Sequence, residues 1–482
     1  MTTTTPVGAE ATTEYRWRWL ALAALLTGEA MNLLDSTIVQ VAAPVMHARL
    51  GGSAADVQWF SSAYTLPFAL LLVTGGRLGD IAGRRRIFRV GVALFMTASI
   101  GCALAPSAGL LIGLRAVQGC GAALIIPQTI GLIKTMFKGP EVSKALGSIG
   151  PVMGLAAVSG PILGAVLTHA DLFGTSWRAV FLVNVPLSLL VLAVSLLLPE
   201  NRAPRRPEID PVGTVLAMAG VGLIVYPLIS VGTGALSAGA WAAVAVGLVL
   251  LAVFALHQRR AAAAGRHPLV EVSLLRDRTF PAALVTSTLF FATTTGLTLV
   301  IVLELQLGLG EGVLTAGFTL VPWSVGLGVA SWIAGARLVG RFGHRLTTVG
   351  LVIMLLGLLA ALAVYHQASA TAYPRALPVA LGVVGIGVGL FSPAFFTTGL
   401  HGVSPQEIGS AAGLLNAVQQ LGATLGVAVL GSVYFLSAET GRPDTALHAV
   451  QVVFLVAVGL IVLCLPASAL MVRTGAHAEE TA

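Results

Sequence analysis

Residues 75–85 read Gly-Gly-Arg-Leu-Gly-Asp-Ile-Ala-Gly-Arg-Arg, and residues 335–345 read Gly-Ala-Arg-Leu-Val-Gly-Arg-Phe-Gly-His-Arg. The two stretches align without a gap at an offset of 260 residues. Each closes one long apolar run and leads into the next. A basic, glycine-containing link repeated between apolar runs is expected of a membrane protein built from two similar halves. Parallel repeats of this kind set a substrate site between two bundles near the middle of the bilayer.

Working outward from these links, the chain divides into apolar runs. A helix needs about 20 apolar residues to cross the hydrocarbon. Fourteen runs meet that requirement: 19–45, 57–79, 87–105, 109–133, 146–168, 178–199, 211–231, 239–257, 281–304, 313–334, 347–365, 377–400, 408–435 and 447–471. Membrane strands would alternate over segments of about 10 residues, whereas these runs are continuous. The expected fold is an all-α polytopic membrane protein. The repeat pairs spans 1–6 with spans 9–14 and leaves spans 7 and 8 as an inserted hairpin. That hairpin is the least distinct feature, being short and rich in glycine and alanine. The expected organisation is a tail (1–18), a six-helix bundle (19–199), linkers carrying helices 7 and 8 (200–280), a second six-helix bundle (281–471) and a tail (472–482).

Composition agrees. Of 482 residues, 56% are hydrophobic and 10% charged, against about 25% charged in a soluble domain. So few charges cannot cover a water-facing surface, so lipid must. The 56 glycines suit close helix–helix contact in a membrane. The net charge of +7 does not point to nucleic acid, because the basic residues occupy short gaps and form no stripe. With the N-terminus placed in the cytoplasm, 22 of the 27 Lys and Arg fall in inner segments, including Arg205, Arg206 and Arg473. Four (Arg49, Arg178, Arg375 and Arg442) fall in outer segments, and Arg115 lies within a span. This bias predicts that both termini face the cytoplasm in a multi-pass inner-membrane protein. Span 1 is too long for a signal-peptide core and is expected to be retained. Cys102, Cys120 and Cys464 sit in apolar runs, with no disulfide framework and no metal-binding spacing.

Four stretches carry the chemistry. Span 1 contains Leu34-Asp-Ser-Thr-Ile-Val-Gln-Val-Ala-Ala-Pro44. At 100° per residue, Glu29, Asn32, Asp35, Ser36 and Gln40 share a face of roughly 140°. An acid at mid-membrane costs about 2.5–3.5 kcal/mol on insertion scales, and its proton affinity responds to its surroundings. Span 4 contains Leu114-Arg-Ala-Val-Gln-Gly-Cys-Gly-Ala-Ala123. Arg115 keeps its charge, so it must meet a partner or a wet cavity. Span 5 contains Gly154-Leu-Ala-Ala-Val-Ser-Gly-Pro-Ile-Leu-Gly164, where a GxxxG face allows close packing and Pro161 removes a backbone donor. The fourth stretch is the link itself, where Asp80 stands among arginines at helix ends and can pair with them or cap a helix.

With these motifs, and with lesser matches at Gln58, Trp59, Tyr64, Trp177, Arg178, Phe181, Asn184 and Pro186, the sequence resembles the major facilitator superfamily, specifically its fourteen-helix drug:proton antiporter branch. The resemblance covers nearly the whole chain. It departs at Gln40, where the branch usually has Asn, at Ala165 after Gly164, at Glu304, where an aromatic is usual, and at Gly340, which occupies the place of Asp80 in the second copy. The resemblance implies roles. Asp35, Glu29 and Arg115 would couple protons. Asn32, Ser36, Gln40 and Gln118 would line the substrate cavity. Asp80, Gly76, Gly83 and Arg84 would form a conformational latch, and Gly154, Gly160, Pro161 and Gly164 the antiporter motif. Trp177 is expected to anchor at the membrane interface, and Glu304 to be hydrated or to attract cations.

The function expected is proton-coupled export of small organic molecules such as drugs or antibiotics, by alternating access. The acids of span 1 suggest amphipathic substrates, cationic ones among them. No cofactor or metal is expected beyond the proton gradient, and the chain is expected to act as a monomer. A proton-coupled importer of a metabolite is the alternative on the same fold; the Gly-Pro of span 5 and the extra hairpin argue against it. An ATP-driven pump would need a GxxxxGK[ST] loop, which Lys134, Lys138 and Lys144 do not supply. An embedded enzyme would need a nucleophile–base set or a metal cluster, and the histidines are scattered. A channel would more commonly be a symmetric ring of subunits.

Overall fold

The structure, a computed structural model, describes residues 15–202, 208–230, 237–266, 268–276, 278–404, 407–438 and 442–471. Most of the expected N-terminal tail, the whole C-terminal tail, and Arg205, Arg206 and Arg473 lie outside the described residues. Fourteen helices are long and apolar enough to cross a membrane. They are α1 (Arg18–Leu50), α2 (Ala54–Ala82), α3 (Arg84–Leu104), α4 (Ala108–Met136), α5 (Lys144–Ala170), α6 (Ser176–Leu197), α7 (Pro211–Ser230), α8 (Ala238–Ala263), α9 (Thr279–Gly308), α10 (Val313–Phe342), α11 (Arg345–Gln367), α12 (Leu377–Gly399), α13 (Ile408–Ser437) and α14 (Pro443–Leu470). All fourteen expected spans are present. Several helices outrun their apolar stretch, α10 by eight residues to Phe342. The apolar pattern stops at the first charges, but backbone hydrogen bonding carries the helix through them. In lipid every backbone group must be satisfied within its own segment, which is why apolar runs of this length become helices. Where helices begin in the links, hydroxyls close them: Ser107 accepts from Leu110 N at 3.4 Å and Ser237 from Ala240 N at 3.2 Å.

Helix pairing repeats between the halves. In the first, α2 and α3 pack on α4, and α1 packs on α5 and α6. In the second, α10 and α11 pack on α12, and α9 packs on α13 and α14. The halves meet along two related seams, α2 with α13 and α5 with α10. At the first seam Thr65 and Thr424 share a hydrogen bond of 2.7 Å, and Gly431 lies against Gln58. At the second, Gly317 lies against Pro161 and Ala165, and Gly328 against Val158. A third contact joins α9 to α1, where Gln306 donates to the Val41 carbonyl at 2.9 Å. These contacts extend from mid-bundle to the end away from the arginine-rich α2–α3 link. Toward the basic end, Gly147 and Gly150 of α5 and Gly409 and Gly413 of α13 face open space, and Leu155 is 69% exposed. The cross-seam contacts named here therefore gather at mid-bundle and toward the far end.

The α7–α8 hairpin lies against one seam. Tyr226 of α7 packs on Trp59 of α2, Thr214 meets Thr74 at 3.2 Å, and Ser432 of α13 donates to the Leu228 carbonyl at 2.5 Å. The glycines that obscured these spans in the sequence have a purpose here. A Cβ on Gly247 would lie 2.7 Å from the Gly220 carbonyl, so the helices touch backbone to backbone. Only Gly247 and Gln258 of α8 are buried among the described residues. Up to Leu256 its remaining surface is apolar and suited to lipid.

Candidate functional site: a buried ion pair in the wall of a central cavity

α1 and α4 cross near mid-bundle, and their polar side chains meet there. Asp35 and Arg115 are both 0% exposed and form a direct ion pair through Asp35 Oδ2 and Arg115 Nη1. Oδ1 of Asp35 accepts from Gln118 Nε2 at 2.8 Å and from Asn184 Nδ2 of α6 at 2.9 Å. Gln118 also bonds Ser99 of α3 at 2.8 Å and accepts from Arg115 Nη1 at 2.7 Å. Arg115 Nε donates to the Phe60 carbonyl of α2 at 2.9 Å. That bond needs α2 and α4 to approach closely, which Gly119 permits: a Cβ there would lie 2.2 Å from the Tyr64 carbonyl. The guanidinium also lies 4.4 Å from the Tyr64 ring centroid. A buried pair survives only when its remaining lone pairs and protons are satisfied, and five helices contribute to this one. Arg115 Nη2 and Asn184 Oδ1 lack hydrogen-bond partners. Among the described residues no other ion pair has both side chains fully buried.

Beside this cluster, between the two halves, lies a cavity of about 230 Å³. Ser36, Thr37 and Gln40 of α1 form part of one wall, with Tyr64, Thr65 and Arg115. Phe290, Phe291 and Thr294 of α9, Trp323 of α10, and Gln419 and Gln420 of α13 form the other. Phe290 stacks on Phe391 of α12 with ring centroids 3.8 Å apart. Among the described residues of the lining, Arg115 and Tyr64 are the only ionisable side chains, and no carboxylate is present.

The single polar face expected on α1 is thus divided between two environments. Ser36 and Gln40 line the cavity. Asp35 points into its own bundle, because α4 and α6 supply its partners and Ser99 of α3 supports them. Asn32, expected at the cavity, instead bonds the Gly28 carbonyl at 2.7 Å and receives the Tyr64 hydroxyl at 3.2 Å. Gln118, also expected there, is consumed by Asp35, Ser99 and Arg115. A 140° arc is wide enough to reach both sides of a helix packed on neighbours all round, so sequence spacing could not separate them. Glu29 is 6% exposed, toward the basic end from Asp35, and is not in the cavity lining. Ser99 carried no signal in the sequence, being a lone hydroxyl in an apolar run. Asn184 was visible only as part of a resemblance.

The link at residues 76–86 is compact. Asp80 pairs with Arg84 at 2.6 Å, and Arg84 lies on Gly131 of α4. Gly76 lies 3.4 Å from Pro127 when a Cβ is placed on it. Gly83 has φ +108°, and a Cβ there would lie 2.6 Å from Glu200 Oε1. Glu200, following α6, accepts from the backbone N–H of Arg85 at 3.2 Å and pairs with its guanidinium at 3.8 Å. The start of α3 is therefore met by Glu200, which the sequence did not single out, while Asp80 holds Arg84. In the second copy Gly335, Gly340 and Gly343 face open space, and no ion pair forms among the described residues.

In α5 the close packing is toward α1. A Cβ on Gly160 would lie 1.9 Å from Thr37 Oγ1, and one on Gly164 would lie 2.9 Å from the Ile38 carbonyl. Pro161 and Ala165, on the adjoining face, meet Gly317 of α10 across the seam, and Gly154 approaches Gly328. Trp177, expected at the membrane interface, is 0% exposed. It packs on Phe181, with the Arg178 guanidinium 4.5 Å from its ring centroid. Glu304, expected to be hydrated, is 1% exposed.

Comparison with known proteins gives a consistent result. The sequence model of the Major Facilitator Superfamily matches residues 25–427. A probable actinorhodin transporter of Streptomyces coelicolor is 43% identical over 422 residues, covering 87% of this chain and 73% of that protein. A puromycin resistance protein of Streptomyces alboniger is 33% identical, covering 92% and 90%. The multidrug efflux pump LfrA of Mycolicibacterium smegmatis is 33% identical, covering 86% and 81%. Among solved structures, a peptide transporter in complex with sulfate superposes with a TM-score of 0.67 at 16% identity, covering 94% of this chain and 95% of that one. That likeness concerns the fold alone.

Proposed function

The chain belongs to the major facilitator superfamily, in its drug:proton antiporter branch, and on that premise we propose that it exports small organic molecules from the cytoplasm in exchange for protons. One observation carries this reading. A fully buried acid–base pair, whose arginine lines a cavity between the two halves, stands where the cross-seam contacts give way toward the basic end. The arginine bias assigns the basic end to the cytoplasm, with both termini there and the protein in the inner membrane. The cavity then faces inward, the state that loads an exported substrate.

The exchange follows from the pair. When Asp35 is ionised it holds Arg115, Gln118 and Asn184. A proton on Asp35 cancels its charge and releases Arg115, whose unpartnered Nη2 and cavity-side position let it turn to the substrate space. Removing one partner of a buried pair costs about 3–5 kcal/mol. One charge crossing 100 mV supplies about 2.3 kcal/mol, so the gradient and the pair work on the same energy scale. No cofactor enters this cycle, which is that of a monomeric carrier rather than an enzyme.

The relatives' names indicate drug or antibiotic cargo. The cavity narrows the class. Aromatic faces from Phe290, Phe291, Trp323 and Tyr64, amides from Gln40, Gln419 and Gln420, and no wall carboxylate favour planar aromatic molecules that are neutral or acidic. Cations, suggested by the acids of α1, find no counter-charge on this wall. The test uses proteoliposomes of known orientation. An inward-directed proton gradient is expected to drive aromatic drugs outward, and an imposed drug gradient to move protons the opposite way. Drug and proton moving together would identify an importer. Drug movement indifferent to both pH gradient and voltage would end the coupling reading.

A further inference from the structure

Glu304 belongs neither to the cavity lining nor to the Asp35 cluster. Its side chain enters the second bundle near the far end of α9, where Tyr434 of α13 donates to Oε2 at 3.1 Å. Tyr365 of α11 is also 1% exposed, and its hydroxyl lacks a hydrogen-bond partner. Beyond it, Tyr373 shares a hydrogen bond of 2.8 Å with Thr319. Tyr434 and Tyr365 are the titratable groups that face Glu304, and Tyr373 lies behind Tyr365. Asp444 and His448 at the start of α14 make no ion pair with it, and no Lys, Arg or His nitrogen among the described residues lies within 4 Å of its carboxylate.

An ionised carboxylate in this place would be buried without a counter-charge, at a cost of several kcal/mol. A neutral acid avoids that cost and still accepts from Tyr434. The backbone is shaped around it. Residues Glu304–Gly308 form one turn of π-helix, a form found frequently at functional sites. A Cβ on Gly308 would lie 2.5 Å from Glu304 Oε2 and 3.1 Å from the Ala446 Cβ, so the glycine leaves the carboxyl in its present place and a larger residue would displace it. The same turn carries Gln306, whose amide bonds the Val41 carbonyl of α1 and so ties the two bundles together at the closed end.

We propose that Glu304 is a second proton-binding site, which sets whether the far end is open. Taking up a proton from the far side lets the carboxyl bury against Tyr434 and closes that end. Releasing it forces the side chain toward water, disturbs the π turn and withdraws Gln306 from α1. The closed far end belongs to the neutral acid, so low pH favours closure and rising pH favours opening. This deepens the exchange reading and rests on it for the two-ended motion.

The test places spin labels on the far end, at Leu172→Cys and Val379→Cys, which are 46% and 72% exposed. Cys102, Cys120 and Cys464 are replaced by alanine in the full chain, in lipid nanodiscs. The inter-label distance is followed from about pH 5 to about pH 9. The native background is expected to lengthen as pH rises. Glu304→Gln keeps the bond from Tyr434 and cannot ionise, so it is expected to stay short, or to open at least about one pH unit later. A Glu304→Gln curve that overlays the native one, or a native distance unmoved by pH, overturns the proposal. The labels report opening without substrate, so this reading and the drug–proton exchange fail in separate experiments.

Discussion

Replacing Asp35 by asparagine keeps the shape of the side chain and removes both its charge and its capacity to carry a proton. The carboxylate now accepts from three donors, Arg115, Gln118 at 2.8 Å and Asn184 at 2.9 Å. The carboxamide offers one oxygen and turns an N–H₂ toward at least one of those donors. Arg115 keeps the Phe60 carbonyl at 2.9 Å, Gln118 Oε1 at 2.7 Å and the Tyr64 ring. The loss therefore falls near the lower end of the range for breaking a buried pair, about 3 kcal/mol, and D35N is expected to fold with a reduced melting temperature. Its effect on transport is larger. A gradient equivalent to 100 mV is worth about 2.3 kcal/mol per proton, and tenfold is about 1.4 kcal/mol. Each proton exchanged can thus sustain an accumulation of about 40-fold. In proteoliposomes carrying that gradient, the native chain is expected to concentrate an aromatic drug toward this limit, and D35N to stop near a ratio of about 1. Substantial accumulation by well-folded D35N would place the coupling proton elsewhere and refute the role assigned to the pair.

The glycines of α5 differ in what they face, so G164A, which meets the Ile38 backbone, is expected to destabilise more than G160A, which meets the Thr37 side chain. Overpacking of this kind costs about 1–3 kcal/mol, and equal melting temperatures for the two would count against the close α1–α5 contact. G83A adds a side chain at φ +108° against Glu200, whereas G343A at φ +51° meets open space; thermal melts are expected to show the larger loss for G83A. At the base of the hairpin, burial pushes the Asp210 carboxyl up, but bonds from Gly213 N, Gln258 and His257 together outweigh it and hold it below the usual carboxylate range. A group depressed on folding contributes stability above its unfolded pKa and loses it as pH falls through the folded value. D210N is therefore expected to melt below the native protein at neutral pH, with the gap closing below about pH 4; a gap independent of pH would refute the assignment.

The fourteen crossings, the two-fold repeat and the inserted pair were legible in the sequence. Hydrocarbon forces a local solution on every backbone segment, so run length and charge placement determine each helix by themselves. The same reasoning recognised that Arg115 needed a partner or a wet cavity and that Asp35 was a costly acid at mid-membrane. It could not tell which side of α1 faced which neighbour. Ser36 and Asp35 are adjacent in sequence, yet one lines the cavity and the other is locked inside its bundle, because the neighbours of α1 are fixed by distant segments. Ser99, Glu200 and the Tyr365–Tyr434 surround of Glu304 were beyond reach for the same reason: a lone polar residue in an apolar run acquires its role from what packs on it. The chain alone determined that charge would be buried, and only the tertiary packing decided which charges were compensated and which were not.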